Sequence, residues 1–345
     1  MPAEWEPHEA TWLAWPHEKT DWPEKFAPIP WVYADIVRHL ARVERVRILV
    51  RHRAEEESAR RILGKAGADL AAVEFFRAAT DRGWTRDYGP IFVKNDRGEV
   101  AATHWHFNGW AKYGNCKKDA AAFGGILRDL KIPVWQPRDQ KNAKARRIVL
   151  EGGSIDVNGR GTLMTTEECL LSPLQARNPG LTRSDLEQVF RDYLGATNAL
   201  WLGRGIAGDD THGHVDDLAR FVNPTTVVTI VEQDQSDANY EPLQENLARL
   251  REMRDQDGRT LRVVTLPLPE RVFFDGQRLP ASYANFYIAN RLVLVPVFDD
   301  TNDRIASNTL AELFPDRAVV PIFCRDLVLG LGTLHCMTQH QPSMR

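Results

Sequence analysis

The sequence predicts an α/β fold built as one domain. Short segments rich in Val, Ile and Leu recur along the chain, single helical patterns fall between them, and no linker, low-complexity stretch or charge block marks a boundary. Strand character falls at residues 46–50, 90–93, 147–157, 226–232, 261–266, 286–288, 291–297 and 318–323. The helical pattern at 54–65 is rich in Ala, Glu and Arg, and that at 182–193 opens with Thr182 and Ser184 as candidate caps. Leu243, Leu247 and Leu250 give 240–255 helical spacing, and the pattern at 303–313 stops before Phe314 and Pro315. A dinucleotide-binding fold needs a glycine fingerprint directly after its first strand, and none follows 46–50. Gly152-Gly153 and Gly330-Leu331-Gly332 lack the phosphate-loop lysine and suit sharp turns at strand ends instead.

A chain of 345 residues allows roughly two domains of about 150 residues each, but the unbroken alternation favours a single domain over 1–345. With 43% apolar and 26% charged residues it can bury a core and is not disordered. Lys plus Arg at 44 against Asp plus Glu at 47 leave a net charge of −3, so no field draws a polyanion and nucleic acid is not an expected partner. No run approaches the ~18 apolar residues of a membrane span. Glu4 and Glu6 stand where a signal peptide needs basic residues, so a cytoplasmic location is expected. Five of the ten tryptophans fall in the first 31 residues and read as core anchors.

The four cysteines, Cys116, Cys169, Cys324 and Cys336, sit at no metal-finger spacing and are too few for a disulfide framework. The ordinary reading of a lone Cys is a small buried hydrophobe. Cys336 differs because it follows a glycine-rich turn after the strand-like 327–329, where partial exposure would let a thiolate act as nucleophile. Such a Cys needs a base from elsewhere, and His214 with Asp216 supplies one. His212 also belongs to this alternating stretch but has no place in the mechanism. Glu151, Asp87 and Asp216 stand in apolar or glycine-rich surroundings, where unpaired carboxylates are costly. Together they call for a cation, and a guanidinium has the permanent charge and planar fork that suit two carboxylates at once.

A rival reading comes from His212-Gly-His-Val-Asp-Asp217, which nearly spells the His-x-His-x-Asp-His run of metallo-β-lactamase-like zinc hydrolases. The last position is Asp217, and the only later histidines are His335 and His340, too few to close a zinc pair.

The ordered motifs carry a resemblance. Met1-Pro-Ala-Glu-Trp-Glu-Pro-His8, Arg86-Asp-Tyr-Gly-Pro90, Phe107-Asn-Gly-Trp110, Leu150-Glu-Gly-Gly153, Thr166-Glu-Glu-Cys-Leu170, Asp209-Asp-Thr-His-Gly-His-Val-Asp216, Asn285-Phe-Tyr-Ile288, Phe314-Pro-Asp-Arg317 and His335-Cys336 resemble the agmatine deiminase and bacterial peptidylarginine deiminase family of guanidine-modifying enzymes. The resemblance implies a five-bladed α/β propeller of ββαβ modules around a pseudo-fivefold axis, at about 69 residues per module. It implies a metal-free, cofactor-free hydrolase that converts agmatine to N-carbamoylputrescine and ammonia through a covalent thiouronium on Cys336. His214 would be the acid and base, Asp87 and Asp216 would clamp the guanidinium, and Glu151 would hold the substrate or orient His214. Trp84, Asp210 and Arg86 would contact the substrate. Arginine or peptidyl-arginine as substrate would use the same chemistry, an amidinotransferase would pass the adduct to an amine, and a homo-oligomer is compatible with all of these. Two departures lie near the pocket: Gly330-Leu-Gly-Thr-Leu334 stands where the family often reads Gly-Gly-Gly-Asn-Ile, and the loop 107–113 lacks one glycine often found there.

Overall fold

The structure is a computed structural model that describes residues 1–139 and 146–344. Among the described residues, five sheets share one pattern: an antiparallel strand pair, then a helix, then a third strand that returns parallel to the second. Three complete examples are Ala219–Asn223, Thr226–Val231 and Arg262–Pro267; Tyr287–Ala289, Leu292–Val297 and Ala318–Phe323; and Ile91–Lys94, Val100–Thr103 and Val134–Trp135. Asp156–Val157, Thr162–Thr166 and Asn198–Leu202 form the fourth. The remaining sheet joins the two ends of the chain. Its outer strand is Gln339–Pro342, antiparallel to His8–Ala14, which runs parallel to Arg45–Val50 and onward to Val73–Arg77.

The middle strand of each three-stranded sheet is buried because it is covered on both faces. Leu292–Val297 and Thr226–Val231 are buried along almost their whole length, as parallel pairing beneath crossover helices requires. The helices are set by local chemistry. Thr182 caps Arg183–Leu194 through a reciprocal bond with Asp185, and Gly195 closes that helix in the left-handed conformation at φ 69°. Early tryptophans anchor the core as expected: Trp12, Trp15 and Trp22 are buried, whereas Trp31 remains about half exposed.

Two expectations fail. The segment 147–157 is not a continuous strand: single bridges at Arg147 and Val149 give way to a tight turn at Gly152–Ser154 and a two-residue strand at Asp156–Val157. Likewise 327–329 forms a 3-10 turn, Leu327–Gly330, instead of a strand. At Gly152 and Gly153 the backbone presses against Arg86, His214, Asp87 and Asp216, and at Gly330 against Trp22 and Trp84; that contact overrides local strand preference.

Candidate active site

Five turns, each directly ahead of the first strand of a sheet, deliver the polar residues. The four-residue helix Thr85–Tyr88 precedes Ile91–Lys94 and carries Asp87; Glu151 and Gly152–Ser154 precede Asp156–Val157. His214 and Val215–Asp217 precede Ala219–Asn223, and Tyr283–Asn285 precedes Tyr287–Ala289. Cys336 precedes Gln339–Pro342. Equivalent turns from all five sheets therefore meet in one place.

Gly153 explains how closely they meet. A Cβ there would stand 2.6 Å from His214 Nδ1 and 2.9 Å from both Asp216 Oδ2 and Asp87 Oδ1. Gly332 plays the same part for Cys336, since its Cβ would lie 3.2 Å from Cys336 Sγ and 3.0 Å from the Trp84 ring. Between Gly330 and Gly332, Leu331 takes a left-handed φ of 66° and lines the cavity. That conformation costs an L-residue roughly 1–2 kcal/mol, so the departure from glycine here stores strain beside the site.

His214 is buried among three carboxylates. Its Nδ1 lies 3.8 Å from Asp87 and 4.0 Å from Asp216 Oδ1, and its Nε2 lies 3.8 Å from Glu151 Oε2. Neither ring nitrogen has a hydrogen-bond partner, and Glu151 Oε2 and Asp216 Oδ1 also have none. Four unpartnered polar atoms around one space are costly unless a donor-rich group enters it. Burial alone would lower the imidazole's affinity for protons, but the Asp87 charge holds it well above the ordinary value.

The three acids differ by environment. Burial pushes Asp87 up to about 6, although His214, the Trp110 indole N–H at 2.8 Å and the Gly153 amide at 3.0 Å favour its anion. Burial would also raise Glu151, but the Arg177 guanidinium, 3.0 Å away, holds it down at about 2. Asp216 accepts from His335 at 2.7 Å and is held below the usual carboxylate range despite its burial. Cys336 is 6% exposed, a correction to the partial exposure expected from its loop. Its Sγ lies 3.1 Å from Asn285 Nδ2 and 3.6 Å from Asp216 Oδ2. Burial, then Asp216, Asp217 and Asp87, push the thiol well above its ordinary value.

Cys336 and Asp87 line a cavity of about 760 Å³ together with Trp84, Trp110, Tyr113 and Asp210. Trp84 packs against Trp22 and donates to Asp21 at 3.2 Å, so its indole is fixed. Asp210 is held by Lys112 and by the Tyr113 hydroxyl at 2.5 Å. Arg86 is a correction. Its guanidinium is sealed behind the site, bonded to Glu4 at 2.8 Å, Gln339 at 3.0 Å and the His335 carbonyl at 3.2 Å, and it does not line this cavity. On so short a helix neighbouring residues point about 100° apart, so adjacency to Asp87 does not bring Arg86 to the substrate.

The zinc reading fails on geometry. His212 takes a left-handed φ of 65° and turns to Ser172, 3.1 Å from its Nε2, while His214 faces the carboxylates. The two histidines do not converge on one ion. Residues with supporting roles that sequence reasoning passed over are Asn285, Arg177 and Asp217. Asn285 bonds Cys336 Sγ, Asp217 and the amide of His335 at 3.0 Å, and only its place in a motif marked it beforehand.

Comparison with known proteins decides the family. The model of the Porphyromonas-type peptidyl-arginine deiminases matches residues 1–342. The chain belongs to that family. It is 37% identical to an agmatine deiminase of Pseudomonas aeruginosa (strain LESB58), over 100% of this chain and 96% of that one. Among solved structures of this family it resembles the agmatine deiminase of Enterococcus faecalis, described as catalyzing its reaction, at 32% identity, TM-score 0.90, and 100% and 96% coverage. It also resembles a cysteine-to-serine variant of C. jejuni agmatine deiminase with substrate bound, at 28% identity, TM-score 0.87 and the same coverage. Family members thus share this chain's fold from end to end.

Proposed function

We propose that the protein is an agmatine deiminase, a hydrolase of the guanidine C–N bond. The observation that carries the reading is the set of unpartnered polar atoms on Glu151, His214 and Asp216, in a buried space beside Cys336. A guanidinium supplies five N–H donors and one positive charge to such a space.

The chemistry follows from the charges. In the empty site the acids keep the thiol protonated. A bound guanidinium offsets Asp87 and Asp216, so Cys336 releases its proton to solvent with its target carbon in place. The sulfur adds to that carbon, and His214 protonates the departing nitrogen, which leaves as ammonia. His214 then takes a proton from water, which attacks the thiouronium and releases the ureido product with regeneration of the thiol. Trp84 packs against the aliphatic stem. Asp210 serves the far end of the substrate.

Charge around the cavity favours agmatine over arginine. Asp21, Glu24, Asp87, Asp210 and Asp275 line it against Arg82, with Lys112 paired to Asp210, and the net negative wall suits a dication and disfavours the carboxylate of free arginine. We also read residues 1–345 as one catalytic domain, a five-bladed α/β propeller. The shared sheet pattern, the five convergent turns and the pairing of Gln339–Pro342 with His8–Ala14 support it. Ammonia release from agmatine, arginine, methylarginines and an arginyl peptide tests the substrate. Preference for agmatine by kcat/KM is expected, and faster turnover of arginine or the peptide would overturn the assignment.

A further inference from the structure

A buried chain of charge runs behind Asp216 and starts four residues into the protein. Glu4 Oε1 accepts from Arg220 and from the amide of Ile288, each at 2.9 Å. Its Oε2 accepts from Arg86 at 2.8 Å and faces His335 Nε2 at 3.0 Å. On the other side of the ring, His335 Nδ1 meets Asp216 Oδ2 at 2.7 Å. That oxygen lies 3.6 Å from Cys336 Sγ, while Asp216 Oδ1 is left without a partner. The side chains of Glu4, Arg86, Asp216, Arg220, His335 and Cys336 are all buried.

A neutral imidazole has one donor and sets a lone pair against any second acceptor, whereas a doubly protonated ring serves two acceptors. With Glu4 fixed by two guanidinium groups on one side and Asp216 on the other, His335 satisfies both carboxylates only by donating from both nitrogens. Such a bond ties down Oδ2 and stops the carboxylate of Asp216 from rotating. Oδ1 is thereby presented as the free acceptor beside His214, 4.0 Å away. A clamp held this way spends little on ordering when substrate arrives.

We propose that Glu4 and His335 are positioning residues for the guanidinium clamp: the N-terminal acid fixes His335, and His335 fixes which oxygen of Asp216 meets the substrate. This rests on the guanidine-hydrolysing reading above. It gives the N-terminal motif and the histidine beside the nucleophile a function in catalysis although neither touches substrate.

The test uses full-length His335→Ala, His335→Asn and Glu4→Gln, with agmatine kinetics, melting temperature, and calorimetric agmatine binding to each variant in a Cys336→Ala background. Asn keeps a donor near the position of Nδ1 and Gln keeps the shape of Glu4, and the melting temperature reports how much of each variant is folded. We expect His335→Ala to lose at least 30-fold in kcat/KM per folded molecule and at least tenfold in agmatine affinity. His335→Asn should recover tenfold or more of the kcat/KM, and Glu4→Gln should fall between wild type and His335→Ala. Equal kinetics in the Ala and Asn variants, or near-wild-type kcat/KM in Glu4→Gln, would overturn the proposal even with wild-type turnover intact. Absence of turnover in the wild type on every guanidine tested would overturn the underlying reading first, and this proposal with it.

Discussion

Asp87 Oδ1 and His214 Nδ1 lie 3.8 Å apart in the buried site and are joined by no hydrogen bond. The pair stands open, with an acid pushed up to about 6 by burial beside an imidazole held up by that acid's charge. Such an arrangement costs the folded protein stability until a cation enters, and this separates function from structure in the variants below.

Asp87→Asn should lower activity while leaving stability intact or raised. A carboxyl held at about 6 in place of its ordinary 3.8 binds protons more tightly in the folded state. It therefore costs roughly 3 kcal/mol at neutral pH, a penalty that grows as pH rises from about 4 to about 6. Asn removes that penalty, partly offset by weaker bonds to Trp110 and Gly153. Thermal melting at pH 7.5 should show no loss, while kcat/KM on agmatine falls by about 3–5 kcal/mol, the cost of breaking a buried ion pair. If these acids only bonded to local backbone, melting temperature would drop and turnover per folded molecule would stay near normal.

The same acid predicts an acid limb in the pH profile. kcat/KM reports the free enzyme, so it should decline below about pH 6 as Asp87 takes up a proton and the clamp loses a charge. Asp87→Asn should lack this limb in its residual activity. A limb that persists unchanged in the variant would assign it to another group.

Much of this site was legible in the sequence, because Cys, His and lone acids beside glycines are rare enough to stand out. What was not legible depends on contacts between distant segments. Strand His8–Ala14 has its antiparallel partner at Gln339–Pro342, with Thr11 opposite His340, and no local window holds both. Helix Lys117–Asp129 contains Gly124 and Gly125, which weaken its pattern, and packing of Phe123 and Leu127 in the core overrides them. The break at Gly152-Gly153 needs His214 and Arg86 pressed against it, and the direction of Arg86 needs Glu4. Sequence proximity to a motif gave its residues but not the way they point.

Activity should survive exhaustive dialysis against a strong chelator. His212 and His214 face different neighbours, so the pair forms no shared zinc site. Loss of turnover on chelation, restored by added zinc, would contradict the thiol mechanism.

The covalent step on Cys336 is the centre of the mechanism, and mass spectrometry of the enzyme quenched during agmatine turnover tests it most directly. An adduct on Cys336 equal in mass to agmatine less ammonia is expected, absent from a folded but inactive Cys336→Ala variant. Robust turnover by that variant, or an adduct on any other residue, would contradict it.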